Sequence, residues 1–411
     1  MDITSVYKAA MSSNSRPPEK FRRAGFVYLD SNATTPLLPE ARLVMEEFYF
    51  DNFANPSSSH AAGLRAKRSV EEARGEIARL INAESSEIFF TSGASESLNM
   101  ATLGLNSLKP ENCGNRVIAV SSIEHHASLY PALELEKHGA RVLNINPTID
   151  GDIDCGAFEN EIKTKGGSRL DFASFMLVNN ETGVIQPVKK LVDVAKQYGA
   201  TFLCDAVQGP GKVDIDVQAL GVDLMAFSAH KFYGPKGIGI LYARRGVRLN
   251  PRTLGGSHES GLRAGTLNVA AICAMAVSLK KAVEERRERE KHYALLKKYL
   301  YNKFVIFEKN NIEYRLNSPD AKTISSAVNV GFKNVSAEAL VEFLSNRNIM
   351  VSAGSACASK RGAKVSHVLD SMNVPLEFAM GSIRISFGIY NEPCDIDKLC
   401  ASILEFVKPV S

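Results

Sequence analysis

The chain has 411 residues, 45% hydrophobic and 23% charged, a balance that supports a large folded core and sets aside disordered, collagen-like and fibrous classes. Its 49 Lys and Arg against 45 Asp and Glu leave a net charge of +4, so no bulk attraction for nucleic acid is implied. The longest mostly apolar run, 267–279, is shorter than the ~20 residues of a bilayer span and contains Asn268 and Ser278, which argues against a transmembrane helix.

Taken in chain order, the N-terminus has Lys8 and Arg16 but is interrupted by Asp2 and Glu19, with no apolar stretch that could act as a secretion signal. The first ~20 residues therefore read as disordered, and the protein as soluble and cytoplasmic. Residues 25–29 read as a short strand running into the polar turn Asp30-Ser31-Asn32-Ala33-Thr34-Thr35-Pro36. Residues 64–82 are amphipathic at helical spacing. Seven strands are predicted next, at 88–90, 117–120, 142–145, 172–178, 202–204, 224–227 and 238–242, with helices at 97–108, 127–138 and 188–198 between them. Such alternation implies a mostly parallel sheet with helices on both faces, an α/β fold whose ligands bind beyond the carboxyl ends of the strands.

The densely charged stretch 280–300 reads as one long helix, a solvated connector. A smaller α+β unit follows, with strands near 326–331 and 382–387 and helices near 337–346 and 396–407. The expected division is a large domain at 34–286 and a small one formed by 1–33 and 287–411. Cysteines at 113, 155, 204, 273, 357, 394 and 400 are odd in number and lack CxxC spacing, which argues for reduced thiols and against a zinc site; no metal is expected.

Four chemically distinct residues fall at or just past predicted strand ends: His125, Asn180, Asp205 and Lys231. Together they match the needs of pyridoxal phosphate, which takes a lysine for covalent attachment and an acid beside its pyridine nitrogen, here Lys231 and Asp205. The loop Thr91-Ser92-Gly93-Ala94-Ser95-Glu96-Ser97, between a strand and a helix, offers backbone N–H groups and short hydroxyls to a phosphate.

With these residues in hand, the sequence resembles the cysteine desulfurases, within the class V aminotransferase group of fold-type I enzymes. The resemblance is carried by 227–237 (Phe-Ser-Ala-His-Lys-Phe-Tyr-Gly-Pro-Lys-Gly) and, in order, by 29–36, 55–58, 90–99, 124–127, 178–183, 205–208, 255–259, 263–266 and 354–357. It spans roughly 27–388. It implies a large domain with a seven-stranded, mostly parallel sheet and a smaller domain carrying a catalytic cysteine loop.

Position by position, the resemblance makes Lys231 the cofactor lysine and Asp205 the partner of the pyridine nitrogen. Gln208 would bond the phenolic oxygen, and His125 would stack on the ring and assist proton transfer. Ala94, Ser95, Ser228 and His230 would hold the phosphate, with Thr266 reaching in from the second subunit of a homodimer. Asn180, Arg384 and Asn32 would bind the substrate, for whose carboxylate a guanidinium fork is the natural partner. Cys357 would be the nucleophile; Gly354, Ser355, Ser359 and Gly362 make its loop polar and flexible, and Lys360, Arg361 and Lys364 favour a thiolate.

The implied reaction turns L-cysteine into L-alanine and leaves a persulfide on Cys357 for a protein sulfur acceptor. A selenocysteine lyase shares nearly all of these residues; a class V transaminase needs no loop thiol; a non-catalytic scaffold would be marked by loss of Lys231 or Cys357, and both are present. The segment 360–365 is basic where many members are Ser/Thr-rich, and the chain ends at Ser411 without the extended tail of housekeeping members. Both departures point to a dedicated acceptor, in iron–sulfur assembly or in thiolation of tRNA or DNA.

Overall fold

The computed structural model describes residues 27–105, 108, 114–354, 356–358 and 364–408, with the backbone alone at 356–358 and 364. The N-terminal stretch expected to be disordered lies outside the described residues. A two-residue strand β1 (Val27–Tyr28) precedes the seven strands of the main sheet: β2 (Ile88–Thr91), β3 (Val117–Ser121), β4 (Arg141–Ile145), β5 (Phe172–Met176), β6 (Thr201–Asp205), β7 (Leu224–Ser228) and β8 (Gly239–Ala243). These are the seven predicted strands, in the order β2-β8-β7-β6-β5-β3-β4. All neighbours are parallel except β8, which runs against both β2 and β7.

Helices of eight or more residues are α1 (Pro39–Glu46), α2 (Ala61–Leu80), α3 (Ala94–Gly104), α4 (His126–Lys137), α5 (Cys155–Lys165), α6 (Val188–Gln197), α7 (Val269–Glu284), α8 (Arg286–Glu308), α9 (Ala337–Ser345) and α10 (Pro393–Val407). Strands β3, β5, β7 and β8 are buried along their whole length, as near-continuous apolar runs require. Alternate residues serve opposite faces. Ala173, Phe175, Phe202 and Phe227 pack toward one layer with Val70, Leu191 and Ile272. Phe172, Leu203, Leu224 and Leu241 meet Leu98 and Leu135 of α3 and α4 on the other.

A second sheet of β9 (Tyr314–Leu316), β10 (Ala327–Phe332), β12 (Ser352–Ala353) and β15 (Ser382–Ser386) has the order β12-β15-β10-β9 and is antiparallel, while β11 (Ile349–Met350) pairs with β1. Its core joins Val27 and Leu29 to Leu300, Phe307, Phe332 and Ile403. β13 (Ala356–Ala358) and β14 (Lys364–Ser366) form a two-stranded ribbon in which Cys357 stands opposite Val365.

The charged stretch 280–300 is not one solvated helix. Glu285, with φ −88° and ψ 2°, separates α7 from α8. α8 also buries Arg289 and Lys297: Arg289 lies over the Tyr233 ring and bonds Glu285, and Lys297 bonds Thr323 and Asp320. Charge patterning reads solvation from residue type alone; here the aliphatic stems pack inward and the charges are paired.

Candidate active site

Adjacent parallel strands deliver their carboxyl ends to one edge, and the four residues picked out by sequence gather there. Asp205 is the last residue of β6; the turn after β7, Ala229–Lys231, carries His230 and Lys231; His125 caps α4 beyond β3; Asn180 follows β5. With Asn32, Gln208, Ser228 and Arg384 they line a cavity of about 720 Å³.

Lys231 Nζ donates to the carbonyl oxygens of Asn32 at 2.8 Å and Ala33 at 2.7 Å. Burial and then the Arg384 charge lower its pKa to about 8, against the pull of Asp205 and Asp30. Asp205 is buried, and among the described residues the one hydrogen bond to its carboxylate comes from the Val207 N–H at 2.9 Å. Burial raises its carboxyl to about 6. A buried carboxylate so sparsely bonded suits a cationic N–H donor, and a protonated pyridine nitrogen is one. Next to it, burial and then Asp205 push Glu124 well above the carboxylate range; its Oε1 accepts from Met176 N at 2.7 Å.

At the other end of the cavity, α3 begins at Ala94 with no side chain capping it, so its first N–H groups and positive dipole end face the cavity wall formed by Gly93, Ala94 and Ser95. Gly93 has φ +153°, and a Cβ on Gly239 would stand 2.6 Å from Gly93 Cα, so both glycines are needed to bring β8 under this turn. Ser228 lies at the same wall, and His230 Nδ1 is 3.1 Å from Thr34 Oγ1. Burial, then Lys231 and Lys236, lower His230 to about 4, so its imidazole is neutral. Donor N–H groups, hydroxyls and a neutral imidazole suit a phosphate.

His125 is open to the cavity. Its Nδ1 accepts from Ala127 N at 3.1 Å, so a neutral ring carries its proton on Nε2. Partial burial, then Lys231, His126 and His367, hold it below the usual imidazole value. His367 Nε2 bonds the Glu124 carbonyl at 2.9 Å, and its ring stacks on His126 with centroids 4.8 Å apart. Arg384 donates from Nη1 to Asn180 O at 2.9 Å and from Nη2 to Asp30 Oδ1.

The structure thus brings Lys231, Asp205, His125, Asn180, Gln208, Asn32, Ala94, Ser95, Ser228, His230 and Arg384 to one cavity. Thr266 is exposed and is not among the residues lining it. Cys357 is described by its backbone only, on β13. Asp30 and Glu124 fall inside the matched segments 29–36 and 124–127 but were given no role, and Lys212 and His367 lie outside every matched segment. Proximity to Asn32, His125 and Gln208 was the available signal for the first three.

The family described as aminotransferase class-V matches residues 27–399. Cysteine desulfurase IscS of Dictyoglomus turgidum is 39% identical over 371 residues, covering 90% of this chain and 92% of its own length. Among solved structures, a NifS-like protein matches with a TM-score of 0.84 at 33% identity, over 93% of this chain and 99% of that one. SspA in complex with cysteine matches with a TM-score of 0.74 at 33% identity, over 89% and 100%.

Proposed function

The chain belongs to the class-V aminotransferase family and, within it, to the cysteine desulfurases, and from that premise we propose that it converts L-cysteine to L-alanine and passes the sulfur to an acceptor through a persulfide on Cys357. The family is pyridoxal-phosphate dependent in general. The observation that carries the reading is the meeting of Lys231, Asp205, His125 and Arg384 around one cavity with an uncapped helix start at its far wall.

In this reading Lys231 attaches the cofactor, Asp205 faces its ring nitrogen, Gln208 its phenolic oxygen, and the α3 turn with Ser95, Ser228 and His230 its phosphate. Bound there, the cofactor withdraws electrons from the substrate Cα. Arg384 and Asn180, with Asn32 behind them, orient the substrate carboxylate. Lys231, its pKa lowered to about 8, holds a usable fraction of neutral amine for taking the Cα proton. His125, with its proton on Nε2, faces the cavity as a donor, so proton abstraction falls to Lys231 Nζ.

Cys357 then attacks the substrate sulfur: an S–S bond forms, the Cβ–S bond breaks, and its electron pair stays on the substrate carbon, which takes up a proton. The balance is one thiol plus L-cysteine giving one persulfide plus L-alanine, the enzyme sulfur being oxidised and the substrate carbon reduced. The acceptor, in iron–sulfur assembly or in thiolation of tRNA or DNA, removes the outer sulfur. We further propose the division into 34–286 and 1–33 with 287–411, supported by the separate core that joins Val27 and Leu29 to the C-terminal elements.

A homodimer is supported by the exposed Tyr49, Phe50 and Phe53, at 53%, 76% and 76%, and Leu254 at 82%. Their segments are tied by Ser57 Oγ and His258 Nε2, 3.3 Å apart. The exposed Thr266 lies on the same loop as His258. The decisive experiment incubates the purified protein with L-cysteine and a thiol reductant and measures alanine and sulfide. Equal amounts of both are expected; pyruvate in place of alanine, or neither product, would overturn the assignment.

A further inference from the structure

Lys212 lies outside the strand ends, four residues after Gln208. Its Nζ donates to Asn32 Oδ1 at 2.9 Å and to Gln208 Oε1 at 2.5 Å. Both amides are buried, at 1% and 3% exposure. In its protonated form the lysine has donors and no acceptor, and in that form each amide turns its oxygen toward it. Gln208 is then left with only N–H groups for the rest of its surroundings. One goes to the Asn32 carbonyl at 2.9 Å, and the other remains for whatever occupies the cavity that Gln208 lines. Asn32, its oxygen likewise held, gives Nδ2 to the Asn180 carbonyl at 3.3 Å.

We propose that Lys212 is a positioning residue that fixes the Gln208 and Asn32 amides, so that an N–H of Gln208, never its oxygen, meets the phenolic oxygen of the cofactor. The proposal rests on the reading of this cavity as the pyridoxal phosphate site. With the amides turned the other way, Gln208 would set an oxygen against an oxygen. Burial, then the Lys231 and Arg384 charges, lower Lys212 to about 7, so an anionic oxygen bound beside Gln208 would favour its protonated, donating form.

The test uses the holoenzyme and reads the visible band of bound cofactor against pH. Lys212→Met should move the midpoint of its pH transition upward by about one unit, because the phenolic oxygen loses a hydrogen-bond donor and becomes more basic. It should also release cofactor more readily in equilibrium dialysis. In a Gln208→Ala background the same substitution should move the midpoint much less. Should Lys212→Met not fold, Lys212→Gln, which keeps some donor capacity without the charge, is read by the same criterion. The other ionisable groups at the site, Lys231, Arg384, Asp30, Asp205, His125 and His230, are unchanged in every variant.

A midpoint equal to wild type overturns the proposal, since a space-filling lysine would leave the spectrum unmoved. A full shift retained in the Gln208→Ala background also overturns it, because the lysine would then act by charge alone. Borohydride fixation of cofactor at Lys231 of the wild type separates this from the underlying reading. Its absence overturns both, whereas a loaded wild type with an unmoved variant overturns the role of Lys212 only.

Discussion

Arg384 Nη2 donates to Asp30 Oδ1 at 2.5 Å across 354 positions of sequence, tying β15 to the turn that follows β1. The side chains are 8% and 19% exposed, and Nη1 is held by the Asn180 carbonyl. The guanidinium is therefore held in one orientation by the protein itself, which would remove part of the entropy cost of binding the substrate carboxylate proposed to dock there.

Arg384→Lys keeps the charge and loses the planar fork. It should raise KM for L-cysteine by roughly 10- to 100-fold while leaving the absorption of bound cofactor as in wild type. Steady-state kinetics with a cofactor spectrum of the same preparation checks this, and an unchanged KM would remove Arg384 from substrate binding.

Cys357→Ser separates desulfuration from transamination. The variant should retain cofactor and show a spectral change with L-cysteine, yet release no alanine or sulfide above background. Wild-type alanine formation would show that another group attacks the substrate sulfur.

Asp205, His125, Asn180 and Lys231 were legible in the sequence because parallel strands end on a common edge, so that position after a strand predicts position in space. The Asp30–Arg384 pair was not, because it depends on how two sheets meet. Lys212 was missed for a related reason: a lysine four residues past a motif reads as surface, and only the fold shows its ammonium between two buried amides. Charge density misled at α8, where Arg289 and Lys297 pack inward. Thr266 is exposed in the single chain, and only a second copy can test its expected reach.

Burial raises the folded-state pKa of Asp205 from 3.8 to about 6. The folded protein therefore binds more protons than the unfolded chain between these values, and stability falls as pH rises through that window. In cofactor-free protein, Asp205→Asn should be more stable than wild type at pH 7 by on the order of 2–3 kcal/mol, the advantage vanishing below about pH 4. Cofactor should reverse the order, because a ring N–H cation compensates the wild-type carboxylate. Denaturant titrations at several pH values, with and without pyridoxal phosphate, measure both; a cofactor-free advantage that persisted at pH 3 would show that Asp205 ionisation is not its source.

Lys360, Arg361 and Lys364 put three positive charges within eight residues of Cys357; Lys360 and Arg361 lie outside the described residues, and Lys364 pairs through its backbone with Ala358. Individually such charges would add little to stability, but three of one sign would steer an acidic acceptor surface or a phosphate backbone toward a persulfide on Cys357. Neutralising all three should leave alanine formation with a small reductant nearly intact and slow sulfur transfer to the physiological acceptor. The difference should shrink at high salt, since such attraction is screened within ~10 Å at 0.1 M. Equal loss of both activities would mean that the charges act on Cys357 ionisation, because only the nucleophile is common to the two reactions.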